Sequence, residues 1–219
     1  MTDLTCIFLT SNRVPESWAA YHRQVLLEAI GNTPLITISK KPMDLGINLI
    51  DTEPSSFSNF YWQNLRGAKQ AKTPFIAICE DDTLYTKSHF DYRPPPDAFA
   101  YNLNRWSLFT WGEPIYSRKD NRVGAAGIHP RELFITALEE RFSKHAILPP
   151  TNRGELGTGG EKALGVSERR STYFQSAEPI VQFNHDFFST TENTPEAIHR
   201  RHKKKLGTVR AYDIPVWGH

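Results

Sequence analysis

Thr73-Pro-Phe-Ile-Ala-Ile-Cys-Glu-Asp-Asp-Thr83 is the stretch from which the rest of the chain is read. Phe75 to Cys79 is an unbroken apolar run of strand length, the pattern of a parallel strand covered on both faces. Glu80, Asp81 and Asp82 follow it without a spacer. Burying three carboxylates would cost far more than the strand gains, so they are expected at its carboxyl end, facing solvent or a cation. In open α/β sheets that end is where ligands bind. Paired acids there suit a hard divalent cation, Mn²⁺ or Mg²⁺, which takes carboxylate and phosphate oxygens together. A solvated acidic turn is the alternative reading of the same residues.

Upstream, Phe60 to Gln70 reads as a helix feeding this strand, preceded by a turn at Ser55 to Asn59. Its Tyr61 and Trp62 suit either base stacking or a core, and Arg66 and Lys69 either a diphosphate or a solvated helix face. At the start of the chain, Thr5 to Thr10 (TCIFLT) reads as a strand ending in Ser11-Asn12-Arg13. A helix follows, with Pro15 early and Trp18, Tyr21, Val25, Leu26 and Ile30 at helical spacing, and Gly31-Asn32 closes it. Pro34 to Ser39 is a second strand and Ile47 to Asp51 a short third one. Strand, helix, strand is the signature of a right-handed parallel unit. The fold class expected is therefore α/β, a single domain with a central, mostly parallel sheet flanked by helices.

Downstream, Pro94-Pro-Pro96 limits regular structure between Tyr85 and Phe99. Arg105 to Trp111, Pro114 to Ser117, Thr172 to Phe174 and Pro179 to Phe183 supply further strands, and Pro130 to Phe142 a helix. The loop carrying Gly154, Gly157, Gly159 and Gly160 is no Walker motif, because Lys162 lacks the glycine spacing and the following Ser or Thr; it reads as a lid or acceptor-facing loop. His199 to Lys205 is a basic cluster on a terminal helix, either solvated or touching a polyanion. The formal net charge of +2 implies no strong global field, and 39% hydrophobic residues fit a folded domain. Cys6 and Cys79 lie in apolar runs and make neither a disulfide framework nor a zinc site. With no signal pattern or membrane-length apolar run, a cytoplasmic location is expected.

Taken together these features resemble the GT-A fold of nucleotide-sugar glycosyltransferases, in its compact family-2-like form. The resemblance rests on the opening unit, on Gln63 to Asp82 (QNLRGAKQAKTPFIAICEDD), on Glu161 in GGEKALG, and on His185 closing a late strand. It implies a domain over residues 1–194, with a nucleotide-binding part over 1–84 and an acceptor side over 85–194, followed by a basic tail over 195–219. It implies that Glu80 and Asp82 hold the ends of an Asp-x-Asp motif, with Asp82 and His185 binding the metal and Glu80 meeting the ribose. Thr10, Asn12, Ser39, Arg66 and Asp81 then belong to the nucleotide site. Glu161 would be the general base, with Glu155 in reserve; Lys162 stands where the family carries an acid. The implied reaction is an inverting transfer from a nucleotide-sugar, a UDP-sugar first, to a hydroxyl acceptor. A hydroxylated base in DNA is one acceptor that the basic tail would suit. Two other classes stay open: a Mg²⁺-dependent nucleotidyltransferase, and a non-catalytic nucleic-acid or polyanion-binding module that uses the tail.

Overall fold

A computed structural model describes residues 2–109, 115–119, 122–148, 154–184 and 208–210. β1 (Leu4–Thr10) is buried at every position. Strand alternation sends its Ile7 and Leu9 into one apolar cluster and its Leu4, Cys6 and Phe8 into another. A strand buried on both faces needs a layer over each. α1 (Glu16–Ile30) supplies Leu26 and Ile30 to one cluster, while α2 (Phe57–Gln70) and α3 (Arg131–Lys144) supply Tyr61, Leu65, Phe134 and Leu138 to the other.

β2 (Leu35–Ser39), β3 (Ile47–Ile50), β4 (Phe75–Glu80), β6 (Ala98–Asn102), β9 (Gly127–Pro130) and β10 (Arg170–Phe174) join β1 in a seven-stranded sheet of order β10-β6-β9-β4-β1-β2-β3. β3, β2, β1 and β4 run parallel, and β9 is antiparallel to both of its neighbours. The chain steps outward from β1 to β3 and then returns as β4 on the other side of β1. That reversal is a topological switch point, where a crevice opens outside the carboxyl ends of the strands. Leu9 is level with Glu80, so Thr10 and the three acids border this crevice.

A second sheet completes the setting. β5 (Thr83–Leu84) begins directly after the acids and pairs antiparallel with β11 (Ile180–Asn184). β11 continues to β7 (Arg105–Phe109), β8 (Ile115–Lys119) and β12 (Thr208–Arg210). The Phe183 amide donates to the Asp82 carbonyl at 2.7 Å, and the Asp81 amide donates to the Leu9 carbonyl at 3.2 Å. The acidic turn is thus held at the junction of the two sheets.

The α/β class with its central, mostly parallel sheet is as expected. The second sheet and the strands β6 and β9 are additions. The stripe expected on α1 is turned: Ala19, His22, Leu26 and Ile30 face inward, while Trp18 and Tyr21 are 39% and 50% exposed. His22 takes the inward place because the Asp81 carbonyl accepts its ring N–H, as described below. Residues 110–114 and the basic cluster at 199–205 lie outside the described residues.

α2 approaches the sheet at Gly67. A methyl group there would lie 2.6 Å from Ile7 Cγ2 and 3.3 Å from Ile38 Cδ1. Alanine gains about 1 kcal/mol in helix propensity, but overpacking costs about 1–3 kcal/mol against a β-branched neighbour that cannot swing away. Gly67→Ala should therefore lower the unfolding free energy in urea by about 1 kcal/mol net, and the Ile7→Ala background should remove that penalty.

Two histidines are sealed into the apolar layers. Burial pushes His89 and His129 down to about 3. The unfolded chain takes up these protons near pH 6.5 and the folded chain only far below it, so acid favours unfolding in between. The stability advantage of wild type over His129→Leu should shrink by about 1.4 kcal/mol per pH unit between pH 6 and pH 4, measured by denaturant titration. A flat difference would place the ring in contact with water.

Candidate active site

The acids are more deeply placed than a solvated turn. Asp81 and Asp82 are each 8% exposed, and Glu80 is half-buried. Of the two settings expected for them, solvent or a cation, burial removes the first, and the solvated-turn reading with it. Thr10 Oγ1 donates to Asp81 Oδ2, and the Asn12 amide donates to the same hydroxyl at 2.9 Å. Thr83 Oγ1 donates to Asp82 Oδ1 at 2.9 Å, and the Gln182 side chain also bonds Asp82. Gln182 Oε1 in turn accepts from Arg105 Nη1 at 2.7 Å. His22 Nδ1–H donates to the Asp81 carbonyl at 2.7 Å, which fixes the tautomer. The Tyr85 hydroxyl accepts from the Glu80 amide at 3.0 Å and donates to Ala125 O at 2.8 Å, locking the start of the turn.

Electrostatics follow from this crowding. Burial raises the Asp81 carboxyl to about 6, against the pull of the Thr10 hydroxyl. Burial first and Asp81 second raise Asp82 to about 7. Glu80 is pushed well above the carboxylate range by burial and then by Asp82, Glu155 and Asp81. Arg105 is 2% exposed; burial lowers it to about 10, opposed by Glu80, Asp82 and Glu155. One guanidinium thus faces several desolvated acids, a donor set that a divalent cation would relieve. Among the described residues, no three His, Cys, Asp or Glu side chains form a group able to hold a metal ion. A cation held by one or two carboxylates plus substrate phosphates needs no such cage.

Thr10 and Asp81 border two cavities. One, of about 170 Å³, is lined by the three acids with Thr10, Ser56, Asn59 and Phe60. The other, of about 370 Å³, has Asn12, Arg23, Lys41 and Met43 on its wall with Thr10 and Asp81. Asn12 stands at φ 53°, a left-handed conformation that asparagine tolerates. From there its Oδ1 accepts from the Lys40 and Lys41 amides at 2.8 and 3.0 Å, tying the end of β1 to the end of β2. Ser39 is fully buried, donating to Lys41 O at 2.6 Å and accepting from Asn48 Nδ2 at 2.8 Å.

The two glutamates of the glycine-rich loop have different surroundings. Glu161 is 1% exposed; it accepts from the Gly157 and Gly159 amides and from Arg141 Nη2 at 3.3 Å. Glu155 is half-buried, accepts from the Tyr61 hydroxyl at 3.2 Å, and is raised by burial. A methyl group on Gly124 would touch both Phe60, on the wall of the acid cavity, and Glu155 Oε2. Glu155 is therefore the loop carboxylate nearer to the acids' surroundings.

Other expected site residues sit elsewhere. Arg66 donates to Ile50 O at 3.1 Å and lies 3.5 Å from Asp51, beyond β3. Lys69 pairs with Glu139 at 2.7 Å. Tyr61 belongs to the core and Trp62 packs edge-to-face on Phe142, so neither lines the acid cavity. β11 ends at Asn184, and His185 lies outside the described residues. Sequence reasoning missed Asp51 as a hub: it is 1% exposed and accepts from Lys40 Nζ, from Asn59 Nδ2 at 2.8 Å and from Gln63 Nε2 at 2.6 Å. An acid closing an apolar strand was the available signal. Arg105 at the head of a strand and Gln182 within one were missed as well.

No protein-family model and no curated protein sequence matches this chain. Among solved structures, the inositol-1-phosphate CTP transferase from T. maritima is similar with a TM-score of 0.53 at 9% identity, over 93% of this chain and 97% of that one. A mannosyltransferase from Pyrobaculum calidifontis, in complex with GDP-Man and Mn²⁺, is similar with a TM-score of 0.48 at 11% identity, over 83% of this chain. The match spans 56% of the mannosyltransferase. A glycosyltransferase involved in the glycosylation of the major capsid of PBCV-1 gives 0.46 at 10% identity, over 92% of this chain and 98% of that one. At these identities the likeness is one of fold, and the T. maritima enzyme carries it.

Proposed function

We propose that the protein is a metal-dependent glycosyltransferase of the family-2-like type, moving a sugar from a nucleotide-sugar, a UDP-sugar first, to a hydroxyl acceptor. The observation that carries this reading is the acidic turn at the switch point, with Asp81 and Thr10 between two cavities. A ligand with two unlike ends, a nucleoside and a sugar, suits that division. In this reading Asn12 and Lys41 line the nucleoside side, and Asp81 faces the ribose. Ser39 acts through the end of β2, and Arg66 through Asp51. Asp82 and Glu80 would hold a divalent cation with the diphosphate, and His185 is the remaining ligand. A bound divalent cation supplies charge neutralisation for the departing diphosphate.

Transfer requires the acceptor oxygen to bond to the anomeric carbon while the bond to phosphate breaks and the nucleoside diphosphate leaves with the electron pair. The acceptor proton goes to a base. We assign that base to Glu155 rather than Glu161. Glu161 has its oxygens committed to two amides and Arg141, whereas Glu155, which accepts from the Tyr61 hydroxyl and the Gly124 amide, carries a raised affinity for a proton and lies nearer the acids. The second reading, a nucleotidyltransferase, is kept because the T. maritima enzyme shares the fold. It would consume a nucleoside triphosphate and a sugar or polyol phosphate, with release of pyrophosphate.

Calorimetric titration of UDP, GDP, CDP and ADP, with and without Mn²⁺, tests the nucleotide site. One nucleotide should bind in a Mn²⁺-dependent manner, at least about tenfold more weakly in Asp82→Ala, a loss of about 1.4 kcal/mol. No binding under any condition rejects both enzyme readings, and turnover of CTP or UTP with a phosphate acceptor would select the second.

The two glutamates should separate by phenotype. Glu155→Gln should slow UDP release from UDP-sugars about 10²–10⁴-fold with UDP affinity unchanged. Glu161→Gln should instead lower the unfolding free energy by about 3 kcal/mol, because it removes the carboxylate that pairs with the buried Arg141. The reverse pattern would return the base to Glu161.

A further inference from the structure

We propose that the groove between the start of α2 and the end of α3 binds a neutral sugar, so that the acceptor of the proposed transfer is a glycan; this rests on the glycosyltransferase reading above. The groove holds about 530 Å³, within the range of small-ligand sites. Its floor and sides include Pro54, Trp62, Phe142 and Ile147. Trp62 is 42% exposed and Ile147 80% exposed, an apolar surface left open to water. A sugar ring presents a C–H face to such a surface and a rim of hydroxyls to short polar side chains. Ser56 and Asn59 supply that rim, and both also line the acid cavity, so the groove and the acids share a wall.

Asn59 gives an independent sign of a missing partner. It is 7% exposed, and its Nδ2 donates to Asp51 at 2.8 Å. Among the described residues, its buried Oδ1 has no hydrogen-bond partner. Buried amide oxygens are nearly always satisfied, so this residue of the shared wall keeps an unused acceptor. The charge of the groove sets the acceptor class. Among the described residues lining it there is no lysine or arginine, and Glu53 is present. A polyanion such as DNA is held through phosphate contacts from cations, and the described residues of this wall include none. Trp62, which sequence reasoning considered for a nucleobase, thus stands where a sugar would pass toward the acids.

The test is saturation-transfer NMR on the whole chain, with UDP and Mn²⁺ present, against maltose, cellobiose, lactose and chitobiose. At least one disaccharide should bind, and Trp62→Ala and Ile147→Glu should each weaken it at least about tenfold, equivalent to about 1.4 kcal/mol, while UDP affinity stays within about twofold. Ile147 is exposed, so its substitution keeps the test valid if Trp62→Ala does not fold. Failure of all four sugars to bind, or binding unchanged in both variants, overturns the proposal. So does Trp62-dependent binding of a duplex carrying 5-hydroxymethylcytosine. Loss of UDP binding with saccharide binding intact would reject the glycosyltransferase reading and leave a sugar site standing.

Discussion

Three adjacent carboxylates at the end of a strand buried on both faces are the constraint that the surrounding structure meets. Desolvation drives all three toward protonation, and repulsion from neighbouring acids adds to it at Glu80 and Asp82. Each neighbour answers part of that cost. Thr10 and Thr83 donate hydroxyls to the two aspartates, and Gln182 passes the influence of Arg105 to Asp82. The backbone is held from both sides, by Leu9 of the large sheet and Phe183 of the small one. The second sheet therefore does more than extend the fold, because it brings a buried guanidinium to the acids.

α2 connects this turn to its surroundings through several of its faces. Tyr61, Leu65 and Ala68 enter the core, and Gly67 lets the helix come close enough to touch Ile7. Asn59 and Gln63 both line the acid cavity and bond Asp51, which in turn accepts from Lys40. The ends of β2 and β3 and the start of α2 are thereby joined through one buried carboxylate. Trp62 lies on yet another face, against α3. A single helix thus separates core, acid cavity and outer groove, and the positions of its aromatics decide which compartment each one serves.

What was legible in the sequence follows from range. The parallel core was readable because β1, β2 and β4 are apolar and β-branched runs of strand length, the pattern of strands covered on both faces. β9 was hidden because Gly127-Ile-His-Pro130 is four residues long and carries both a glycine and a proline; its pairing comes from neighbours on each side. The α1 stripe was misplaced because large aromatics outweigh alanine and histidine in any count of apolar spacing, yet His22 faces inward to reach a carbonyl 59 residues away. The acids were found because they are contiguous. Arg105 and Gln182 act on the site across long sequence separations, which no local pattern marks, whereas Asp51 carried a local signal as the acid that closes an apolar strand.

The glycine-rich loop gives the neighbouring glutamates 155 and 161 unlike surroundings. A general base must be held in place but keep capacity for a proton. The loop is fixed by Tyr101, whose hydroxyl donates to Leu156 O at 2.8 Å, and by Ser171 Oγ, which donates to Gly157 O at 2.6 Å. Gly157 has φ 73°, and a side chain there would meet Phe99 and the Arg170 backbone, so only glycine follows this path. Glu161 then closes the turn by accepting from the Gly157 and Gly159 amides, with Arg141 balancing its charge. These bonds use up Glu161 as an anchor. The same bonds hold Glu155, two residues before Gly157, between Tyr61 and the acids' surroundings, where burial raises its proton affinity.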